Sequence, residues 1–226
     1  MKNPITSCLG NKLSSIKLLL PLLAAASITA AHAEDMVKYK AKAIGNKVSI
    51  AGTSNVHDWT LDGALIGGFF DVPAGVDFDQ TKAELTGVTG GKLNGRAESS
   101  IDVTSLHGSW GGMDSVMQAA MNAKEHPTIE YRSTELTLKE PHVAGTPFDF
   151  DTKGDLIVNG VTNSIAMPVS IQNAGANKLK ITGKVSFKMT TYKVTPPVKF
   201  GLFKTDDDMT ITFEWTVAKT PAAKAP

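Results

Sequence analysis

Beyond the first 33 residues the chain carries four histidines, His57, His107, His126 and His142, the side chains best suited to proton transfer or metal ligation near neutral pH. None stands in an H-x-H or H-x-x-x-H pair, so the spacing that presents two imidazoles to one metal is absent. The triplet His57-Asp58-Trp59 is the most distinctive. Neighbours in a strand point to opposite faces, so His57 and Asp58 would not stand side by side as a catalytic dyad. A Trp59 on the dry face, with His57 close by, fits packing and a hydrogen bond better. Hydrolysis or isomerisation through His57, Asp58 or His107 also lacks an adjacent base or nucleophile. Ser109, in His107-Gly108-Ser109-Trp110-Gly111, misses the G-x-S-x-G elbow by its first glycine. That elbow needs a strand-to-helix turn in a βαβ sheet, and no such pattern occurs here. Asp206-Asp207-Asp208 lacks the glycine and closing glutamate of a calcium loop and reads as a solvated hairpin tip.

Met113, Met117 and Met121 fall four residues apart. On a helix they form one stripe, which suits core packing and also a polarizable lid over an apolar site. The helix predicted from Met113, Val116, Met117, Ala120 and Met121 runs for about three turns. It opens after Gly111-Gly112 with Asp114 as cap or first-turn acid, and His126-Pro127 stops it.

The first 33 residues read differently. Lys2, Lys12 and Lys17 precede an apolar run from Leu18 to Ala30, broken by Pro21 and ending in Ala31-His32-Ala33. This is the layout of a secretory signal peptide cleaved after Ala33, and the run is short of the ~20 apolar residues of a spanning helix. Cys8 is the only cysteine and leaves with this segment. The mature chain therefore excludes thiol catalysis and thiolate metal sites. It keeps 20 basic residues against 22 acidic ones, so no basic excess points to nucleic acid. The expected location is periplasmic or secreted.

Most of the remaining sequence alternates with period two. Val37, Tyr39, Ala41 and Ala43 interleave with lysines; Val48 and Ile50 follow, then Trp59, Leu61 and Leu65 up to Phe69. Ala97 to Val103, Leu156 to Val158, Ile165 to Ile171, Ile181 to Met189 and Met209 to Val217 repeat the pattern. Such runs are half-buried antiparallel strands. A parity change between Tyr131 and Leu136 predicts a bulge near Ser133. Gly45-Asn46, Asn94-Gly95, Asn159-Gly160 and Gly175-Ala176-Asn177 mark turns. The pattern predicts an all-β domain over residues 34–219 and a disordered tail over 220–226. About eight strands and one short amphipathic helix must hide a strongly apolar face, so the sheet packs on another sheet or closes on itself. Periodicity does not choose between a filled core and a hollow barrel.

A set of motifs carries a resemblance. Thr53-Ser54-Asn55-Val56-His57-Asp58-Trp59 is followed by Gly67-Gly68-Phe69, by Met113-Asp114 and a short helix, and by His126-Pro127-Thr128-Ile129. Gly154-Asp155-Leu156-Ile157-Val158-Asn159-Gly160-Val161-Thr162 and Tyr192-Lys193-Val194-Thr195-Pro196-Pro197 complete the series. In order and spacing these resemble the YceI-like family of secreted bacterial lipid-binding proteins, in a branch with a Val-His-Asp-Trp motif, from about Lys38 to Val217. The resemblance implies an extended, lipocalin-like antiparallel barrel whose apolar tunnel holds an isoprenoid or similar amphiphile, without catalysis or cofactor. The charged Arg-Asp start usual before the family's helix is replaced here by the glycine-rich stretch around Trp110.

Burying a methylene contributes about 0.8 kcal/mol, and immobilising a ligand costs at least ~4 kcal/mol. A tunnel of this kind therefore favours long chains. Parity and size select Trp59, Phe69, Met117, Met121, Val158, Met167, Phe187, Phe213 and Trp215 as the lining. Two other readings stand beside the carrier: a structural or adhesive envelope protein with a filled core, and a lipid-modifying enzyme using His57 and Asp58. A homodimer is compatible with each.

Overall fold

The computed structural model describes residues 35–175 and 177–221; the predicted signal peptide and the tail after residue 221 lie outside the described residues. Alternating runs become strands β1 (Met36–Ala41), β2 (Lys47–Ser54), β3 (Trp59–Gly63), β4 (Ile66–Pro73), β5 (Arg96–Asp102) and β6 (His107–Gly108). After helix α1 (Met113–Ala120) come β7 (Thr128–Leu138), β8 (Phe148–Val158), β9 (Val161–Asn173), β10 (Lys178–Lys188), β11 (Val198–Lys199) and β12 (Phe203–Lys219). Eight of them close a ring in the order β1-β4-β5-β7-β8-β9-β10-β12 and back to β1, every pairing antiparallel. The protein is thus an all-β barrel with one helix, as the sequence predicts. Ring closure leaves no free edge over that stretch of wall.

Closure depends on the 17-residue β12, whose second edge is shared. Residues 205–214 pair with β2, while residues 217–219 pair with β1. Between the two partners stands Thr216, and the Gly45-Asn46 turn fills the gap. Buried Asn46 accepts from the Thr216 amide at 2.8 Å and donates to the Lys42 carbonyl at 2.6 Å. Gly45, at φ +95°, turns the chain there and takes the Thr216 hydroxyl on its carbonyl. A buried side-chain amide so replaces the missing rungs. From this seam β2, β3 and β6 continue as a flap beyond the ring.

One end of the barrel is sealed by a segment without periodicity. Residues 74–95, between β4 and β5, bury Phe78, Leu85 and Leu93. The Phe78 ring lies 6.2 Å from both Phe70 and Phe148, and His142 stacks on Phe148 at 4.0 Å. The bulge predicted near Ser133 is present as a register shift between Ser133 and Glu135.

Two local expectations are corrected. Leu65 and Phe69 do not face inward: Leu65 is exposed in the β3–β4 turn, and β4 presents Ile66, Phe70 and Val72 to the core. The pairing of Ile66 with Ile101 and Phe70 with Ala97 sets this phase, which the side-chain-free Gly67-Gly68 cannot signal. Phe69 lies on the outer face under Lys38 Nζ, 3.9 Å from its ring centre. The helix is also shorter than three turns. It ends at Met121 because Asn122 takes a left-handed conformation (φ +50°), well before His126-Pro127.

Candidate functional site

The lumen is divided, not continuous. An outer cavity of about 330 Å³ opens where α1, the flap and the β11–β12 hairpin meet, and an inner one of about 70 Å³ lies deeper among β7, β8, β9, β10 and β12. No residue lines both. Along three strands the boundary falls between inward neighbours: Val158 and Leu156 on β8, Phe187 and Val185 on β10, Met209 and Ile211 on β12. Two residues of strand separate each pair, about 7 Å, so one layer of side chains parts the chambers.

Of the nine residues predicted to line the site, Trp59, Met117, Met121, Val158 and Phe187 line the outer cavity, and Met167, Phe213 and Trp215 line the inner one. Phe69 lines neither and leaves the set. Met117 of α1 and Met121 at its C-cap are both buried, and Met113 of the same stripe also faces the outer cavity.

Large rings leave space because they lie against glycines. Trp59 pairs across the sheet with Gly52, and a Cβ at Gly52 would stand 2.3 Å from the indole. Phe213 pairs with Gly183 in the same way, with a Cβ there 2.6 Å from the phenyl. Each ring covers the wall and not the lumen. The Trp59 Nε1 donates to the Thr53 carbonyl at 3.1 Å, which fixes its orientation.

Motif 53–59 forms part of the rim. The Ser54 hydroxyl donates to the His57 carbonyl and accepts from the Val56 and His57 amides, folding a compact turn. Asn55 clamps the opposite loop: its Nδ2 donates to the Leu202 carbonyl at 2.9 Å, its Oδ1 accepts from the Lys204 amide at 2.8 Å, and its own amide donates to the Lys204 carbonyl at 3.1 Å. His57 Nδ1 lies 3.0 Å from the Asp58 backbone carbonyl, which only accepts, so this nitrogen carries the proton. The His57 ring meets Trp110 edge-on at 5.0 Å across the rim. Its partners are thus a carbonyl and an indole, the arrangement of a positioned wall residue.

A His–Asp pair does form elsewhere. His107 Nδ1 lies 2.8 Å from Asp114 Oδ2, and Asp114 Oδ1 accepts from the Gly108 amide at 2.7 Å. The Gly108 amide, followed by the His107 ring, holds the Asp114 carboxyl below the usual carboxylate range. Both side chains are exposed, neither lines the outer or the inner cavity, and Ser109 makes no hydrogen bond with them; the pair ties α1 to β6. Among the described residues no group of three His, Cys, Asp or Glu side chains could hold a metal, and no helix is long and apolar enough to cross a membrane.

Sequence reasoning missed the hairpin residues Phe200 and Phe203, together with Met189, Tyr192, Val194 and Met209. A 3-10 turn over Met189–Tyr192 carries Tyr192 to full burial beside Phe187, with ring centres 4.9 Å apart. Its Oη has no hydrogen-bond partner among the described residues, and burial pushes the phenol up. Trp215, which lines the inner cavity, likewise has its Nε1 buried without a partner among the described residues, whereas Tyr131 donates to Thr152 and Thr152 to the Met167 carbonyl. The outer site is thus an apolar chamber, and Tyr192, whose hydroxyl is buried and unpaired, forms part of its wall. The titratable side chains lining it are His57, Tyr192 and Lys199.

The family model for the YceI-like domain matches residues 65–217. The chain belongs to the YceI-like family. Its match begins after β3, so the rim motif at 53–59 precedes the matched span. No curated protein matches the chain. Among solved structures, BcnA of Burkholderia cenocepacia is 19% identical over 78% of this chain and 98% of its own, with a TM-score of 0.54. A polyisoprenoid binding domain from Saccharophagus degradans, implicated in plant cell wall breakdown, is 12% identical over 80% of this chain and 98% of its own, with a TM-score of 0.56. At these identities the likeness is one of fold, and it extends over nearly the full length of both neighbours.

Proposed function

We propose that this YceI-like protein is a non-catalytic carrier, periplasmic or secreted, that holds a long-chain isoprenoid or similar amphiphilic lipid in its barrel. The observation that carries this reading is the outer cavity of about 330 Å³, apolar in its lining and open at one rim. Its size falls within the range of about 300–1,000 Å³ common for small-molecule sites. Membership of the YceI-like family and the polyisoprenoid-binding character of the Saccharophagus neighbour support the ligand class. Ten buried methylenes contribute about 8 kcal/mol gross, which exceeds the minimum immobilisation cost of ~4 kcal/mol only modestly. A tail therefore gains by reaching past the Val185–Ile211 layer into the inner chamber. Tyr192 lines this cavity with its hydroxyl unpaired, so a ligand oxygen that reached it would supply the missing hydrogen bond.

Organic extraction of the protein purified from its native host, followed by mass spectrometry, tests the proposal. The expected result is one long-chain lipid in stoichiometric amount. A lipid-free protein that also takes up no fluorescent polyene would overturn it in favour of a structural role. His57→Ala and His107→Ala variants should keep uptake, since neither imidazole is asked to move a proton. A chemically altered lipid that disappears in those variants would identify an enzyme instead.

A further inference from the structure

Six of the ten large hydrophobic residues exposed among those described gather at the mouth of the outer cavity: Val56, Trp110, Val198, Phe200, Leu202 and Phe203. Exposed apolar residues scattered singly need no explanation, but a contiguous patch does. This one is built, not accidental. The hairpin closes through the Leu202 amide and the Lys199 carbonyl, with Phe200 at φ +54° and Gly201 at φ +70°. A left-handed phenylalanine is sterically costly, and here the residue is 80% exposed, so its edge contact with the Phe203 ring at 6.5 Å and the Lys199 ammonium 5.6 Å from its ring centre return little of that cost. The three Asn55 hydrogen bonds then hold the hairpin against the rim motif.

Charge surrounds the patch. Lys193, Lys199 and Lys204 flank it, and none makes an ion pair among the described residues, although ten other cationic side chains do, as does His107. Of the acidic residues on the same loops, Asp206 is engaged by the Thr53 hydroxyl at 2.6 Å, and Asp58 is exposed. Aromatic and aliphatic tips set among lysines without ion pairs, one of them, Lys199, 5.6 Å over the Phe200 ring, match a phospholipid leaflet, whose acyl region takes the tips while anionic headgroups take the ammonium groups. The cavity opens inside this patch, so a lipid leaving the leaflet reaches the lumen without crossing water.

We infer that the β11–β12 hairpin, with the rim around Trp110 and Val56, is a docking surface for an anionic phospholipid leaflet. The inference rests on the carrier reading for its purpose, but its test does not require a bound ligand. Co-sedimentation of the protein with phosphatidylglycerol-containing vesicles should be clear, should fall with added salt, and should be far weaker with pure phosphatidylcholine. Lys204→Gln and Lys193→Gln should each lower partitioning about fivefold. The double variant Val198→Ser, Leu202→Ser, at exposed positions outside the cavity lining, should lower it by about tenfold or more, while Ile44→Ser on a remote exposed site leaves it unchanged. That double variant should take up a polyene from detergent micelles as the parent does. Failure of the parent to take up polyene would sink the carrier reading; absence of vesicle binding with uptake intact would sink the docking surface alone. Equal vesicle binding by the double variant would also overturn it. So would concentration-dependent self-association lost in that variant without vesicle binding, which would assign the patch to a second copy of the chain.

Discussion

At the sealed end of the barrel, Phe70, Phe78, Phe148 and Phe150 are each buried to within 3%, and the Phe78 ring packs against those of Phe70 and Phe148. At the mouth, Trp59, Phe187 and Tyr192 are equally bulky yet border about 330 Å³ of empty space. Strands β8, β10 and β12 serve both ends, so alternation cannot account for the contrast. Its source is what lies over the strands. A 22-residue loop pushes Phe78, Leu85 and Leu93 into the sealed end, whereas the mouth is roofed by a two-turn helix whose methionine stripe follows the cavity. A glycine opposite the ring adds to the difference, because Trp59 at the mouth can lie flat only where its cross-strand partner, Gly52, has no side chain.

The comparison is tested most strongly by truncating a ring at each end. Phe148→Ala should destabilise the fold by about 3–5 kcal/mol, whereas Phe187→Ala, already beside a void, should cost clearly less. Equal losses in urea denaturation would mean that the two ends are packed alike. Filling the mouth is the next effect in size. Met209→Trp places an indole in the outer cavity and should lower polyene affinity about tenfold or more, read by fluorescence titration, with stability kept. Third, Tyr192→Phe removes an unpaired buried hydroxyl and should stabilise the ligand-free protein by about 1 kcal/mol while weakening amphiphiles that carry an acceptor oxygen.

The same residue gives a pH test. The folded phenol is raised above its ordinary value of 10.0, so above pH about 10 the unfolded chain loses its proton first and stability falls as pH rises. Thermal melts at alkaline pH should show that slope reduced in Tyr192→Phe, with Tyr39 and Tyr131, also raised by burial, supplying the remainder. The smallest effect is acidic. Asp114 is held below 3.8, so its tie between α1 and β6 is present above that pH and fades as pH falls through the depressed value. Asp114→Asn should flatten this acid limb and loosen only the mouth, visible as faster hydrogen exchange in α1.

Strand alternation made the strands readable from the sequence, down to the bulge near Ser133, because one face is dry and the other wet along whole strands, while their closure into a ring was implied by the family resemblance. The phase of β4 was not readable, since Gly67 and Gly68 carry no side chain to report it and Phe69 and Phe70 are equal candidates. Nor was the plug: residues 74–95 bury three apolar side chains from an irregular loop, where no period exists to detect. The helix end was missed because Asn122 stops it by adopting a left-handed turn, a choice that asparagine permits but does not announce. Asn55 stood within a recognised motif, yet its clamp on Leu202 and Lys204 joins residues nearly 150 positions apart. The division of the lumen depends on which rotamers meet at Val185 and Ile211, and pattern alone carries no volumes.

The exchange of partners along β12 has a geometric outcome. Because Asn46 lets one strand leave β1 and take up β2, the vessel need not keep a single girth: its sealed half has eight staves, and beyond the seam the flap adds others. For the carrier proposed above, such a change of girth would set a polarity of loading, with the slender end of a molecule going down first and the bulkier end staying at the lip.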